Sequence, residues 1–349
     1  MISKQVRLLN SVQGKIKVED FEIVDVEIPE LELGEVLVEN SYCSTDPYIR
    51  PSMGYQGDVF HTKPGEPITG DAVGTVIASK NDDVPIGTRV LHRRGWSTHS
   101  ILSSTKSSIS ANTGLSNEDL VSIIPDNKNL LDYLSMNGLV GVTAYYSLKK
   151  VLNPQPGDIV AIDGATGGVG QMFIQMAVAC GIEVHGITST QEKAEYIDNI
   201  GGVGVVVPPT AGLSKLKKIY DTAFPNGIDK YHSNVCNERM LLGITKLNTR
   251  ADLLLCGAMK HYNQSINLLG PNIQPIIHKG ATIHGCAWVF SIDEWRQEYL
   301  DFVDKHYDKL APKYEIYEGI ESMPQQFIDQ FFIYEQDSNK KFGKLVTQL

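Results

Sequence analysis

The segment DIVAIDGATGGVGQ, residues 158–171, constrains most strongly how this chain of 349 residues can fold. An apolar run ends in a glycine-rich loop and is followed by QMFIQMAVACG, a pattern typical of a strand, a turn and a helix closed by glycine. The same rhythm continues through EVHGIT, GVGVVV, GIDKYHSNV, ADLLLCGA and ATIHGCAW, with helical segments between these runs. Six strands with crossover helices predict an α/β fold with a doubly wound, six-stranded parallel sheet.

The glycine loop itself predicts a dinucleotide site. Gly164, Gly167 and Gly170 form a GxxGxxG spacing. Such loops need glycine for the tight turn, for close approach of a pyrophosphate, and for packing of the helix on the strand. The pyrophosphate gains from the free N–H groups and the dipole at the N-terminus of the helix that begins near Gln171. A merely tight structural turn is the alternative, but the loop follows the first strand of the repeat, which favours the dinucleotide interpretation.

The end of the second predicted strand indicates which dinucleotide binds. An NAD site normally places Asp or Glu there to bind the ribose 2′-hydroxyl, but this chain reads HGITSTQEK at 185–193, without an acid at the strand end. Thr188, Ser189 and Lys193 would suit a 2′-phosphate, so the sequence predicts NADPH. The alternative is that Ser189 or Thr190 caps the following helix while Lys193 is a solvated surface lysine.

The remainder of the chain divides into two further parts. Short alternating segments separated by turn residues, such as FEIVDVEI and GDAVGTVIAS, predict a compact, mostly β unit over residues 1–125. Residues 130–152 read as a helix with a glycine interruption, and the terminal FGKLVTQL reads as a last strand. We therefore predict a nucleotide-binding domain at 126–290 and a first domain, 1–125, that residues 291–349 complete.

Composition excludes several classes of partner. A net charge of −10 disfavours binding to a phosphate backbone, which depends on Lys and Arg. The sequence holds no apolar run of membrane-spanning length and no signal-peptide pattern at its start, so no membrane partner is expected. Five scattered cysteines, several in apolar strand-like runs, indicate a reduced, cytoplasmic protein.

The segment YCSTD, residues 42–46, resembles the place where zinc alcohol dehydrogenases hold a metal ligand. A catalytic zinc needs three convergent protein ligands. The Gly-His-Glu segment that would supply the next ligand is GDAVG here, with Asp71 and Ala72 in place of His and Glu. Cys43 alone makes no site, so we predict that it is a buried small residue and that the protein holds no metal.

Several motifs together resemble one family. In chain order they are STDPYIRPSM, GWSTHS, GLVGVTAYYSL, DGATGGVGQ, TSTQEK, PNGIDKYHSNV, CGAMKHYN and GKLV. They resemble the zinc-independent medium-chain dehydrogenases/reductases, with leukotriene B4 dehydrogenase/prostaglandin reductase, plant alkenal double-bond reductases and bacterial curcumin reductase. The resemblance covers essentially the whole chain and implies a Rossmann domain beside a GroES-like, mostly β catalytic domain. The pair DPYxR and CGAxxxYN is its most specific part.

The resemblance also implies roles for individual residues. Tyr262 would lie near the nicotinamide ribose and the substrate carbonyl, and Tyr48 in the substrate cleft; either tyrosine could instead be a packing residue. The residues implied to contact NADPH are Gly167, Gly168, Val169, Gly170, Thr188, Ser189, Lys193, Asn234, Cys256, Gly257, Ala258, Tyr262, Cys286, Ala287 and Trp288.

Three departures from the family pattern affect the adenosine side. Pro208 stands where the family has a phosphate-contacting tyrosine, and the family's DNVGG is SNVCN, so Asn234 keeps its place without the flanking acid and glycines. The family's terminal Asn-x-Gly-Lys is KFGK here, with Asn339 two residues upstream. We expect adenosine-phosphate contacts that are weaker or rebuilt.

The expected activity is NADPH-dependent reduction of the C=C bond of α,β-unsaturated aldehydes and ketones without a metal. Tyr262 is the first candidate donor to the carbonyl oxygen, where charge develops, and Tyr48 is the second. The alternatives are a quinone reductase, a secondary-alcohol dehydrogenase, which the missing zinc ligands disfavour, and a non-catalytic NADPH-binding or sensing protein. The resemblance implies a homodimer that pairs at the sixth strand, 282–288.

Overall fold

The computed structural model of the chain describes residues 1–54, 62–103, 121–209, 211–263, 274–332 and 342–349. Within them the strands form a two-stranded, a seven-stranded and a six-stranded sheet. The strands are β1 Ile2–Leu8, β2 Phe21–Glu27, β3 Glu35–Ser44, β4 Ala72–Ser79, β5 Arg89–His92, β6 His99–Ser103, β7 Ser122–Ile123, β8 Val160–Asp163, β9 Val184–Thr188, β10 Val203–Val206, β11 Ile228–Ser233, β12 Leu247–Leu255, β13 Thr282–Gly285, β14 Tyr314–Glu318 and β15 Lys344–Gln348.

The helices of the described residues lie mainly between the strands of the second half of the chain. They are α1 Ile49–Ser52, α2 Leu139–Tyr145, α3 Gly168–Ala179, α4 Gln191–Asn199, α5 Leu213–Ala223, α6 Glu238–Thr245, α7 Gln274–Lys279, α8 Ile292–His306 and α9 Met323–Phe332. Short 3₁₀ turns include Leu131–Leu134, Met259–His261 and Trp288–Phe290. Among the described helices, none combines the length and the apolar character that crossing a bilayer requires.

The predicted parallel sheet is confirmed. Its strand order is β10-β9-β8-β11-β12-β13, and every neighbouring pair is parallel. The chain moves outward from β8 in one direction through β9 and β10, and then crosses back to β11 and continues the other way. The order therefore reverses between β8 and β11, and ligands of doubly wound sheets bind beyond the carboxyl ends of strands at such a point.

The first unit is built around β3, which pairs antiparallel with β4, β6 and β15. Alternate residues of its strands face a buried apolar cluster that includes Val36, Val38, Val76 and Val90. The predicted last strand is confirmed as β15, which brings the end of the chain beside the end of β3, with Val346 opposite Ser44. The C-terminal segment therefore completes the sheet of the N-terminal unit.

The helix predicted over residues 130–152 is interrupted more severely than its pattern indicates. A 3₁₀ turn at Leu131–Leu134 ends before Gly138, which is extended with φ −114° and ψ −161° and begins α2. A Cβ on Gly138 would lie 2.1 Å from the Tyr133 carbonyl oxygen, so only glycine allows this change of direction. Beyond α2 the helix widens into a π-helical segment, Tyr146–Leu152.

The position of α8 bears on the predicted domain limits. Ile292, Trp295, Tyr299 and Val303 of this helix are buried in the same apolar cluster as residues of α2, α3 and β8. Pairing with the N-terminal unit begins only at β14, which runs parallel to β15. The limits 1–125 with 291–349 and 126–290 stay a prediction, and this packing favours a limit near Leu310 over one at 290.

A buried ion pair fixes the returning strand. The Lys344 ammonium at the start of β15 donates to the Asp46 carboxylate and to the Ser44 hydroxyl. The Lys344 side chain is 4% exposed and that of Asp46 10%. Ser44 in turn donates to the second Asp46 oxygen at 2.6 Å. Removing one member of such a pair leaves the other charge buried without compensation, which costs far more than the pair contributes.

We expect Lys344→Met to lower the free energy of unfolding by about 3–5 kcal/mol, because the Asp46 carboxylate stays buried without its cation. Guanidinium unfolding followed by circular dichroism measures the change. The exposed Lys4–Glu321 pair offers the matched control, since Lys4→Met should leave the unfolding midpoint unchanged. Equal midpoints for Lys344→Met and Lys4→Met would contradict a structural role for the buried pair.

Candidate active site

A cavity of about 540 Å³ lies beyond the carboxyl ends of the parallel strands, walled on its other side by the N-terminal unit and β15. Ala258, predicted to line it, does not; its N–H donates to the Tyr262 hydroxyl at 3.3 Å, and Gly257 and Met259 form that part of the wall. The predicted residues that do line it are Tyr48, Gly167, Gly168, Val169, Gly170, Thr188, Ser189, Lys193, Asn234, Cys256, Gly257, Tyr262, Cys286, Ala287 and Trp288.

The glycine loop has the geometry of a phosphate cradle. Gly164 takes a left-handed conformation with φ +60°, and a Cβ on Gly170 would lie 2.4 Å from its carbonyl oxygen. Gly167 precedes α3 in extended conformation and brings no side chain to cap the helix. The first-turn N–H groups of α3 therefore face the cavity as donors for an anion.

The end of β8 is joined to the end of β11 by Asp163, which the sequence analysis did not single out. Its buried carboxylate accepts hydrogen bonds from the backbone N–H groups of Asn234 at 2.7 Å and Val235 at 3.0 Å, and from the Ser233 hydroxyl at 2.7 Å. Burial raises the Asp163 pKa, and these donors oppose the rise. The Asn234 side-chain amide also donates to the Asp163 backbone carbonyl oxygen at 2.8 Å. The Asn234 side chain therefore holds the ends of β8 and β11 together.

At the other end of the cavity wall two cations lie close together. Lys193 is 4% exposed and Arg239, in the first turn of α6, is 8% exposed, so Lys193 is not a solvated surface residue. Burial, reinforced by the Arg239 charge, lowers the Lys193 pKa to about 8. Thr190 does cap α4, accepting from the Lys193 backbone N–H at 3.4 Å. Within the described residues neither side chain forms an ion pair.

Arg239 is a site residue that sequence reasoning missed. It follows SNVCN, where the family pattern departs, and it lines the cavity, whereas Pro208 does not. A cation directly after the loop of the fourth parallel strand was the available signal. Two neighbouring cations are suited to a phosphate dianion, and one of them comes from α6, whereas the residue at the position of the family's tyrosine, Pro208, does not line the cavity. Asn339, the shifted family residue, lies outside the described residues.

The two predicted tyrosines face the cavity from one shared apolar cluster. The Tyr262 hydroxyl is reached by the Ala258 N–H, and burial raises the Tyr262 pKa. The Arg50 guanidinium donates to the Asn263 side-chain oxygen at 2.8 Å, so the segments DPYIR and HYN are directly joined. The structure thus brings together Tyr48 and Tyr262, whose motifs lie more than 200 residues apart in sequence.

The Tyr48 hydroxyl accepts a hydrogen bond from Arg93 at 2.8 Å. The Arg93 Nε lies 3.5 Å from an Asp71 carboxylate oxygen, and both side chains are 10% exposed. Cys43 is fully buried in the same apolar cluster and lies against the Gly95 carbonyl oxygen. Among the described residues, no three His, Cys, Asp or Glu side chains are placed to hold a metal ion.

Comparison with known proteins agrees with this arrangement. The family model described as the N-terminal domain of oxidoreductase matches residues 4–109, and the model described as zinc-binding dehydrogenase matches residues 168–305. The chain is 31% identical over 318 residues to prostaglandin reductase 1 of Oryctolagus cuniculus, covering 88% of this chain and 84% of the relative. It is 29% identical over 357 residues to an NADP(+)-dependent 2-alkenal reductase of Nicotiana tabacum, covering 99% and 97%.

Solved structures extend the likeness over the whole fold. The crystal structure of CurA in complex with NADPH from Vibrio vulnificus superposes with a TM-score of 0.83 at 26% identity. The alignment covers 99% of this chain and 98% of the CurA chain. Both units therefore have counterparts in a protein that was solved with NADPH bound.

Proposed function

Because this chain belongs to the zinc-independent medium-chain dehydrogenase/reductase family of prostaglandin reductases and 2-alkenal reductases, we propose that it reduces the C=C bond of α,β-unsaturated aldehydes and ketones with NADPH. One observation carries the proposal: a single cavity joins a phosphate cradle and two buried cations to a pair of tyrosines. The model described as zinc-binding dehydrogenase matches the nucleotide-binding half, residues 168–305, and the first half has Asp71 and Ala72 where zinc ligands would stand.

The residues present fit NADPH. Gly164 and Gly170 leave the space that a dinucleotide loop needs, and α3 offers its free N–H groups to the pyrophosphate. Thr188, Lys193 and Arg239 would hold the 2′-phosphate, since a strand end without an acid and two buried cations favour a dianion over a ribose hydroxyl. Cys256, Cys286 and Trp288 would enclose the nicotinamide. When bound, NADPH supplies a hydride for the β-carbon of the substrate.

The protein's own part in the chemistry is to stabilise charge and exclude water. Negative charge develops on the substrate carbonyl oxygen as the β-carbon is reduced, and a donor preorganised toward that oxygen lowers the barrier. The Tyr262 hydroxyl accepts from the Ala258 N–H, which leaves its own proton to donate. Burial raises its pKa, so Tyr262 stays protonated at neutral pH and no perturbed base is required.

A homodimer and a cytoplasmic location complete the proposal. β13 is the last strand of the parallel sheet, and Thr282, Ile283 and Gly285 are exposed. An exposed strand edge is a template for pairing with a second copy of the same chain. The five cysteines are unpaired, as expected in a reducing compartment.

NADPH consumption with a panel of 2-alkenals, enones and quinones tests the proposed reaction. We expect turnover of alkenals and enones to the saturated carbonyl compounds. The loss of NADPH absorbance measures the rate of this turnover. Faster turnover of quinones than of enones would favour a quinone reductase instead. Tight NADPH binding without turnover of any of these compounds would favour a non-catalytic NADPH-binding or sensing protein.

Cofactor choice should depend on the two buried cations. Lys193→Met and Arg239→Met should each weaken NADPH binding about 10- to 100-fold, the loss expected for a charge-assisted hydrogen bond. NADH affinity should change less than about threefold, because NADH lacks the 2′-phosphate. Fluorescence titration measures both affinities, and Lys215→Met, at an exposed lysine of α5, is the control. An equal loss of affinity for NADPH and for NADH would show that the two cations do not bind the 2′-phosphate.

The same site predicts a pH dependence. The Lys193 pKa of about 8 lies below its ordinary value, so the free protein loses this charge as the pH rises past about 8. NADPH affinity should therefore fall above pH 8, by up to about tenfold per pH unit, while NADH affinity stays level. Lys193→Arg should flatten the NADPH profile, because a guanidinium keeps its charge. A wild-type profile that is flat to about pH 10 would remove Lys193 from the phosphate site.

Tyr262→Phe should lower kcat for enones about 100-fold while leaving the NADPH affinity unchanged, since it deletes one donor to the developing oxyanion. Steady-state kinetics and NADPH titration separate these two effects. Tyr317→Phe is the matched control, because Tyr317 also lines the cavity but comes from β14. Unchanged enone kinetics in Tyr262→Phe would remove this tyrosine from the mechanism.

A further inference from the structure

Asp71, which stands where zinc alcohol dehydrogenases have a zinc ligand, is paired here with Arg93 behind Tyr48. Asp71 directly precedes β4, and Arg93 directly follows β5, the neighbouring strand. Arg93 is 8% exposed and Asp71 7%. Arg93 does not line the cavity; its guanidinium lies behind the Tyr48 ring, with Cζ 5.7 Å from the ring centroid.

Hydrogen-bond chemistry fixes the direction of the Tyr48 proton. The Arg93 guanidinium only donates, so the Tyr48 oxygen is the acceptor of their 2.8 Å hydrogen bond. Arg93 is the hydrogen-bond partner of Tyr48 within the described part of the chain. The Tyr48 hydroxyl keeps its own hydrogen, and the Arg93 side of the oxygen is closed to it. The proton can therefore be donated to a ligand in the cavity, which Tyr48 lines.

We propose that Arg93, held by Asp71, positions Tyr48 and makes it the proton donor to the α-carbon of the substrate. The inference rests on the proposed function and deepens it. As the β-carbon gains a hydride, the C=C electrons move toward the carbonyl and form an enolate. The α-carbon then forms a C–H bond with the Tyr48 proton while the O–H bond breaks, and the carbonyl re-forms. The Tyr48 oxyanion is left against the Arg93 guanidinium until solvent water returns a proton.

The charges around Tyr48 support this assignment. Burial raises the Tyr48 pKa and Arg93 opposes the rise, while the carboxylates of Asp71 and Asp46 add to it. Asp46 is itself paired with Lys344, so its charge is largely compensated. Arg93 is therefore the group that stabilises the tyrosinate formed by proton transfer. Arg93 acts through Tyr48 and is a positioning residue, and Tyr262 remains the donor to the carbonyl oxygen.

The face from which the α-carbon is protonated reports on this role. We would use an α-methyl enone that the wild type reduces, such as 3-methyl-3-penten-2-one, because its product is chiral at the α-carbon. Wild type should form one enantiomer in excess. Arg93→Gln should lower kcat about 10- to 100-fold and lose the excess, because water then protonates both faces. NADPH affinity should be unchanged, and Arg93→Lys should recover part of both kcat and the excess. Arg94→Gln, at the exposed neighbouring arginine, is the control.

A double-mutant comparison decides whether Arg93 acts through Tyr48. In a Tyr48→Phe background, Arg93→Gln should change kcat less than about twofold further. If Arg93→Gln does not fold, Arg93→Gln with Asp71→Asn removes both charges together and leaves no lone buried ion. Wild-type values of kcat and enantiomeric excess in the Arg93 variant, or effects that multiply with Tyr48→Phe, would overturn the inference. Absence of wild-type turnover with every enone would instead overturn the proposed function.

Discussion

The buried pair of Lys344 and Asp46 holds together the three segments that form the cavity. Lys344 begins β15, and Asp46 lies two residues before Tyr48. On its other side the Lys344 side chain packs on the glycine loop, since a Cβ on Gly168 would lie 3.4 Å from Lys344 Cδ. The C-terminal strand thus fixes the tyrosine segment relative to the phosphate cradle. Because a misplacement of about 1 Å between two bound reactants can slow a reaction about 100-fold, this junction sets the geometry on which hydride transfer depends.

The two ends of the cavity use charge in opposite ways. At the end of Lys193 and Arg239 the two cations are buried and form no ion pair with any described residue, and burial together with the Arg239 charge lowers the Lys193 pKa. The unfolded chain binds the Lys193 proton more tightly than the folded chain does. The buried ammonium therefore lowers the free energy of unfolding below about pH 8. This destabilisation disappears as the pH rises toward the ordinary pKa of lysine. At the tyrosine end the buried charges are paired, Lys344 with Asp46 and Arg93 with Asp71. Unpaired cations suit the capture of an anion, whereas paired ones suit the orientation of a neutral substrate.

Local pattern predicted the parallel sheet, the glycine loop and Lys193, because each depends on residues within one strand–loop–helix unit. It did not predict the Lys344–Asp46 pair, whose members are 298 residues apart, nor the role of Arg93, which reaches Tyr48 from a different strand. Arg239 was missed because the family pattern gave no reason to look for a cation after the fourth parallel strand. The packing of α8 on the nucleotide-binding unit was not predicted either. The sequence of an amphipathic helix shows which of its faces is apolar, but not which of two hydrophobic cores covers that face.

The segment that resembles a metal site is best understood through the residues that replaced the ligands. Ala72 can coordinate nothing, and Cys43 lies against a backbone carbonyl in an apolar cluster, where burial raises the pKa of its thiol. Burying the Asp71 carboxylate without a partner would destabilise the fold. The Arg93 Nε, 3.5 Å from an Asp71 carboxylate oxygen, compensates that charge. The guanidinium supplies positive charge between the Asp71 carboxylate and the Tyr48 hydroxyl. Because Arg93 lies behind Tyr48 and donates to its hydroxyl, its charge would act on a substrate only through that hydroxyl, as the proposed proton transfer requires.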